Sequence, residues 1–157
     1  MFRTIIAVPI LALAMSQTSQ AQMKTATGEF DVKMLPPAPT GNNSDGAGDG
    51  FVRLALEKAF RGSLEGTSHV AMMATSDGKN PAGGYVALER FTGKLDGKSG
   101  SFIMQHSGIM APGMMEIRVQ VSPGTGTGEL AGIEGTLEIR MEGKKHFYTL
   151  KYTLASQ

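Results

Sequence analysis

The sequence predicts an all-β protein, a single antiparallel β-barrel of about eight strands. Apolar and polar residues alternate with a period of two in run after run, and that period places one set of side chains on each face of a strand. The runs recur at short spacing. Glycines, 21 in all, are spread along the chain and punctuate them. Many short strands joined by glycine-rich turns make a sandwich or a barrel.

The first strand is expected at 25–34, where Ala26, Gly28, Phe30 and Val32 alternate with Thr27, Glu29, Asp31 and Lys33. One wet face and one packed face is the pattern of an antiparallel sheet. A long polar loop follows at 35–50 (LPPAPTGNNSDGAGDG), whose prolines and glycines forbid a ladder. The run 51–60 (FVRLALEKAF) is the one segment that resembles a helix; it is short and enters Gly62 without a helical cap, so it is read as the second strand. Strands at 63–75, 83–95 and 99–108 come next, the last two joined by a hairpin with Asp96-Gly97 at its tip. Met115, Ile117, Val119 and Val121 set the parity of a strand at 113–122. Leu137, Ile139 and Met141 do so at 134–142, and Tyr148, Leu150, Tyr152 and Leu154 at 145–154.

The chain has 157 residues, enough for one domain. Residues 1–21 stand apart as a secretory signal peptide: a positive start at Met1-Phe2-Arg3, an apolar run from Thr4 to Met15, and small residues at the −3 and −1 positions in Ser19-Gln20-Ala21. The apolar run is shorter than the ~20 residues a bilayer demands. The barrel domain is then 22–157, and its expected location is periplasmic or secreted. Cleavage removes Arg3 and leaves 14 basic against 14 acidic residues, a net charge of zero. No basic patch is present, so nucleic acid is not an expected partner, nor is an anionic membrane surface once the leader is removed. The chain has no cysteine, which excludes thiol catalysis and thiolate metal sites. A domain of about 135 residues buries enough surface to fold without disulfides.

A string of motifs runs through nearly the whole mature chain. They are Phe60-Arg-Gly62-Ser-Leu64-Glu-Gly66, Tyr85-Val-Ala-Leu-Glu89-Arg90-Phe91-Thr-Gly93, Gly97-Lys-Ser-Gly100-Ser-Phe102 and Gln105-His106-Ser-Gly108. Pro123-Gly-Thr-Gly-Thr-Gly128-Glu-Leu130-Ala-Gly132 and Tyr148-Thr-Leu-Lys-Tyr152 complete the set. In this combination the chain resembles the bacterial domain-of-unknown-function 3224 family. The resemblance implies a barrel similar to that of allene oxide cyclase, with about eight antiparallel strands and an internal cavity. It implies no particular activity. The leader and the 35–50 loop depart from the usual family pattern, and fold alone does not fix function.

Two glycine motifs look like nucleotide sites and are read as turns. Gly126, Gly128 and Ala131 fit a dinucleotide fingerprint, but a strand follows where a helix is required to hold a pyrophosphate. Gly93-Lys-Leu-Asp-Gly97-Lys98-Ser99 has three residues between its glycines where a phosphate loop has four, and again no helix follows.

Polar residues on apolar faces are more informative. Tyr85, Glu89 and Phe91 share parity in one strand, Phe102, Met104 and His106 in the next, and His146, Tyr148 and Tyr152 in the last. If these faces line the interior, Glu89 and His106 form a candidate acid–base pair, and Tyr85, Phe91, Phe102, Met104, His146, Tyr148 and Tyr152 form the ligand-contacting wall. A carboxylate desolvated beside a histidine is poised to move protons. Structural satisfaction of buried polar groups by one another competes with that reading. Lys58 shares parity with Leu54, Leu56 and Phe60; it either neutralises Glu89 or reaches to the rim. Arg90 falls on the opposite, solvated face.

No metal or cofactor is expected. His69, His106 and His146 lie on three strands without short metal-ligand spacing. Met72, Met73, Met110, Met114 and Met115 have a copper(I)-binding chemistry, but such methionines more often pack. Three functional readings remain: a barrel that binds a small, largely apolar ligand in its lumen, an acid–base isomerase or cyclase using Glu89 and His106, and a filled barrel acting through its surface, with homo-oligomer formation open to it.

Overall fold

The computed structural model describes residues 22–36, 51–75 and 82–155. The expected signal peptide and most of the 35–50 loop lie outside these residues. The chain forms eight strands: β1 (Lys24–Met34), β2 (Val52–Gly62), β3 (Leu64–Ala74), β4 (Gly83–Leu95), β5 (Lys98–Ala111), β6 (Met114–Val121), β7 (Glu134–Glu142) and β8 (Lys145–Thr153). Each pairs antiparallel with the next, and β8 returns to β1 to close the barrel. The segment 51–60 is a strand as expected, and its neighbours decide it: every second residue from Leu56 to Phe60 is buried.

The wall has a definite stagger. Paired residues run around it from Leu35 through Ala55, Ala71, Leu88, Gln105, Gln120, Thr136 and Lys151 to Thr25, returning to β1 ten residues before the start. Stagger and strand number together set a strand tilt of about 40°. The seams are not equal. β4 and β5 pair over thirteen positions, from Gly83–Met110 to Leu95–Lys98, whereas β6 and β7 meet in the single pair Gln120–Thr136 among the described residues.

Asp96 and Gly97 form the tip of the β4–β5 hairpin with φ of 48° and 82°, the double left-handed geometry of a two-residue hairpin turn. Two details differ from the sequence reading. β5 continues three residues past 108, so the β5–β6 connection is the tight turn Pro112-Gly113. The Leu35 N–H donates to the Ala55 carbonyl at 2.9 Å; the ladder runs one residue into the expected loop because the first proline, which lacks a donor, comes at 36. The glycine motif at 126–131 contains one 3-10 turn, Gly128–Leu130, and lies flat against β5. There the Thr127 N–H donates to the Ser101 carbonyl at 2.9 Å. A Cβ on Gly100 would stand 2.1 Å from the Thr127 carbonyl oxygen, which is why a glycine sits at that crossing. The segment presses Leu130 and Ile133 into the barrel and closes that end.

Candidate functional site

Inward side chains fall into layers. Next to the closed end the interior is filled by rings. The Phe60–Phe91, Phe91–Phe102 and Phe60–Tyr148 centroids are 5.6, 5.2 and 5.6 Å apart, the spacing of well-packed aromatic pairs. Met104, Leu150 and Tyr152 pack into the same cluster. The tyrosine hydroxyls are occupied. Tyr148 Oη accepts the Leu64 N–H at 2.7 Å, and Tyr152 Oη donates to Asp96 Oδ2 at 2.7 Å. Burial raises the Tyr148 hydroxyl above its ordinary range. Burial, then the bond and charge of Asp96, push Tyr152 up to about 12.

Above the rings lies a polar layer made of Lys58 on β2, Ser68 on β3, Glu89 on β4 and His106 on β5, all buried. Glu89 is its centre, 0 % exposed. Its Oε1 accepts from Ser68 Oγ at 2.5 Å, and its Oε2 accepts from Lys58 Nζ at 2.6 Å. His106 Nε2 stands 2.8 Å from the same Oε2, off the direction of a well-aligned hydrogen bond. Lys58 Nζ also lies 4.8 Å above the Phe30 ring. Burial drives the Glu89 carboxyl up, but His106 and the Lys58 charge more than reverse it and hold it at about 2. Glu89 is therefore an anion across the neutral range. The structure thus brings Glu89 and His106 together, and gives Lys58 the neutralising role. A carboxylate held at about 2 is a weak proton acceptor at neutral pH, where a general base works best with a pKa near the working pH.

Beyond the polar layer, Leu56, Val70 and Ala87 form a small apolar cluster with Met72 and Tyr85 packed against it. Tyr85 leans across Gly108: a Cβ there would meet the ring at 2.2 Å. Burial and the Glu89 charge raise its hydroxyl pKa. Among the described residues the barrel is open from this level outward. Val32, Met34, Met110, Met115 and Met141 continue the inward-facing parity of their strands and yet are exposed, Met34 by 53 % and Met115 by 52 %. The single-pair β6–β7 seam flanks this end. The β1–β2 and β3–β4 connections leave from it, through residues 37–50 and 76–81, which are outside the described residues.

Of the seven residues expected to contact a ligand, Tyr85 and His146 are half-buried at or near the open end. Phe91, Phe102, Met104, Tyr148 and Tyr152 lie below the polar layer in mutual contact. His146 stacks on Phe30 with centroids 5.1 Å apart. His69 points outward, with Nδ1 3.7 Å from Glu57 Oε1, so the three histidines do not converge. Arg90 is exposed on the outer face. Sequence reasoning missed Ser68, although its shared parity with Leu64 and Val70 marks it as inward. It also missed Met34 as part of the open end.

The outer wall carries its own apolar surface. Val86 and Leu88 on β4 are each more than half exposed, beside Met73 and Ile109. Two shallow grooves of about 580 and 610 Å³ run over these residues.

An eight-stranded barrel sealed at one end, with an ion cluster beneath an open apolar end, defines a cup-shaped β-barrel. The family model described as "Protein of unknown function (DUF3224)" matches residues 26–152, and the chain belongs to that family. Among solved structures it is similar to a DUF3224-family protein of unknown function from Shewanella oneidensis MR-1, with 38% sequence identity and a TM-score of 0.72, covering 87% of this chain and 100% of that one. No curated protein matches.

Proposed function

We propose that the protein binds a small, largely apolar ligand in the open end of the barrel, over the Lys58–Glu89–His106 layer. One observation carries the reading: large apolar side chains that face into the barrel at this end are left in water. Covering them recovers roughly 25 cal/mol for each Å² removed from solvent. Methionine suits such a wall because its unbranched, polarisable side chain adapts to irregular shapes. The polar layer sets the depth to which a ligand enters and offers it a polar partner in Lys58 or His106, while the rings beneath hold that layer in place.

The test is titration with a neutral apolar dye whose emission rises on leaving water. A Met115→Glu, Met141→Glu double variant is expected to lose capture of the dye. A Val86→Glu, Leu88→Glu variant on the outer wall is expected to keep it. The opposite pattern places the apolar contact outside the barrel and overturns the proposal. In the wild type, dye at a hundredfold excess over its Kd stabilises the fold by about 2.7 kcal/mol.

A further inference from the structure

The outer wall of the barrel divides into a charged part and an uncharged part. Around β7, β8, β1 and β2 the outward positions carry ion pairs, among them Lys151–Glu138 and Arg61–Asp31. On β3, β4 and β5 the registers line up three neighbouring rows without a charge. In the middle row Met73 pairs with Val86, and Val86 with Ser107. On one side of it Ala71 pairs with Leu88, and Leu88 with Gln105. On the other side the Thr75 N–H donates to the Gly84 carbonyl, and Gly84 pairs with Ile109. Val86, Leu88 and Ile109 are each more than half exposed, and Met73 is 39 % exposed. Monomeric soluble proteins rarely leave a large contiguous apolar patch in water. Charge returns at the border, with Arg53 and Glu57 on β2, Arg90 one row further along β4, and Glu116 and Arg118 on β6. An apolar centre inside a polar, charged rim is the anatomy of a protein–protein interface.

We propose that two copies of this chain associate through the outer face of β3–β5, about a two-fold axis that passes near Val86. The patch is complementary to itself in shape. Val86 and Leu88 stand up from β4, while the small residues Gly84 and Ala71 beside them lie in two grooves, one bordered by Met73 and Ile109 and the other by Met73 and Gln105. A two-fold contact presents the same patch twice, so the ridge of each copy fills a groove of the other. The charges agree with a second copy as the occupant. The border mixes both signs, and the chain's formal net charge is only +1, so two copies meet without strong repulsion and no excess of one sign selects an acidic or a basic partner. The barrel is closed, so a second copy has no strand edge to extend and meets a face instead. The area is sufficient. With strands about 4.8 Å apart and about 6.8 Å for every two residues, the three rows and their border project roughly 24 by 27 Å, about 650 Å². Specific interfaces bury about 600–1,000 Å² on each partner.

The experiment is sedimentation equilibrium of the protein across the micromolar range, where the wild type is expected as a particle of two copies. Val86→Glu, Leu88→Glu buries carboxylates from both copies in one contact and is expected to weaken association by more than about a hundredfold, leaving a single copy. Lys33→Glu, Lys151→Glu, at exposed positions away from the patch, is expected to remain a particle of two copies. Circular dichroism confirms that both variants fold. Methionine methyl resonances locate the contact: on dilution of the wild type the Met73 signal is expected to move, while that of Met34 at the open end stays in place. The β4 variant is also expected to keep capture of the neutral dye, so association and ligand binding are read separately. A wild type that stays a single copy throughout, with or without another molecule on this wall, overturns the proposal. So does a particle of two copies that survives in the β4 variant, or one that dissociates without moving the Met73 signal.

Discussion

Lys58 Nζ and Glu89 Oε2 meet at 2.6 Å in the middle of the barrel, with the carboxylate out of contact with water and the amine nearly so. Their attraction offsets the desolvation of both charges, and it does so only while both are present. Glu89→Gln leaves a buried cation without its anion and is expected to cost about 3–5 kcal/mol. Lys58→Met leaves Glu89 to Ser68 and His106 and costs less. The double variant is expected to be more stable than Glu89→Gln alone, because it removes the stranded charge. Urea unfolding of the four proteins measures the cycle. Strict additivity of the two single effects would show that the pair carries no coupling.

The same carboxylate gives the fold an acid dependence. Its folded pKa, about 2, lies below the ordinary 4.5. A depressed acid stabilises the fold fully above its unfolded pKa, and that contribution fades as pH falls from 4.5 towards 2. Glutamine has nothing to titrate. The stability gap between wild type and Glu89→Gln is therefore expected to be widest at pH 7 and to narrow at pH 3. An equal gap at both pH values would mean that the folded carboxyl is not held ionised.

Strand parity made most of this legible in the sequence. Glu89 and His106 were readable as inward neighbours because Phe91 and Met104 flank them at a spacing of two. A period of two states which face a residue takes, but not its depth along the axis. Phe91 and Met110 both point inward, yet one is sealed among rings and the other stands in water. Depth depends on the ten-residue stagger of the wall and on Leu130 and Ile133 closing one end. Both arise from pairing between distant segments.

Two glycines separate rigid from yielding contacts. A Cβ on Gly28 would stand 2.0 Å from the Arg61 carbonyl oxygen and 2.6 Å from the buried Tyr148 hydroxyl. Neither neighbour has room to move, so Gly28→Ala is expected to cost about 1–3 kcal/mol or more. Gly108→Ala meets the Tyr85 ring first, at 2.2 Å. That ring is half-buried beside the open end and is expected to swing outward, so the stability cost is expected to be smaller and the effect to appear in dye capture. Thermal melts of the two variants decide the order, and a larger loss for Gly108→Ala would show that Tyr85 is locked.

Tyr152 and Asp96 supply the alkaline counterpart. Burial, with the bond the hydroxyl donates to Asp96 Oδ2 at the hairpin tip 2.7 Å away, holds its proton up to about 12 against an ordinary 10. A group whose folded pKa is raised contributes stability that is complete below the unfolded value and lost as pH climbs from 10 towards 12. At pH 7, Tyr152→Phe is expected to be less stable by about 1 kcal/mol, the net worth of one hydrogen bond. Through the alkaline window the wild type declines towards the variant, because only its unfolded chain releases this proton there. Unfolding midpoints at pH 7 and pH 11, with tyrosinate absorbance followed alongside, test the relation. A gap that widens with pH would mean that the folded hydroxyl ionises before the unfolded one, and that Asp96 does not hold its proton.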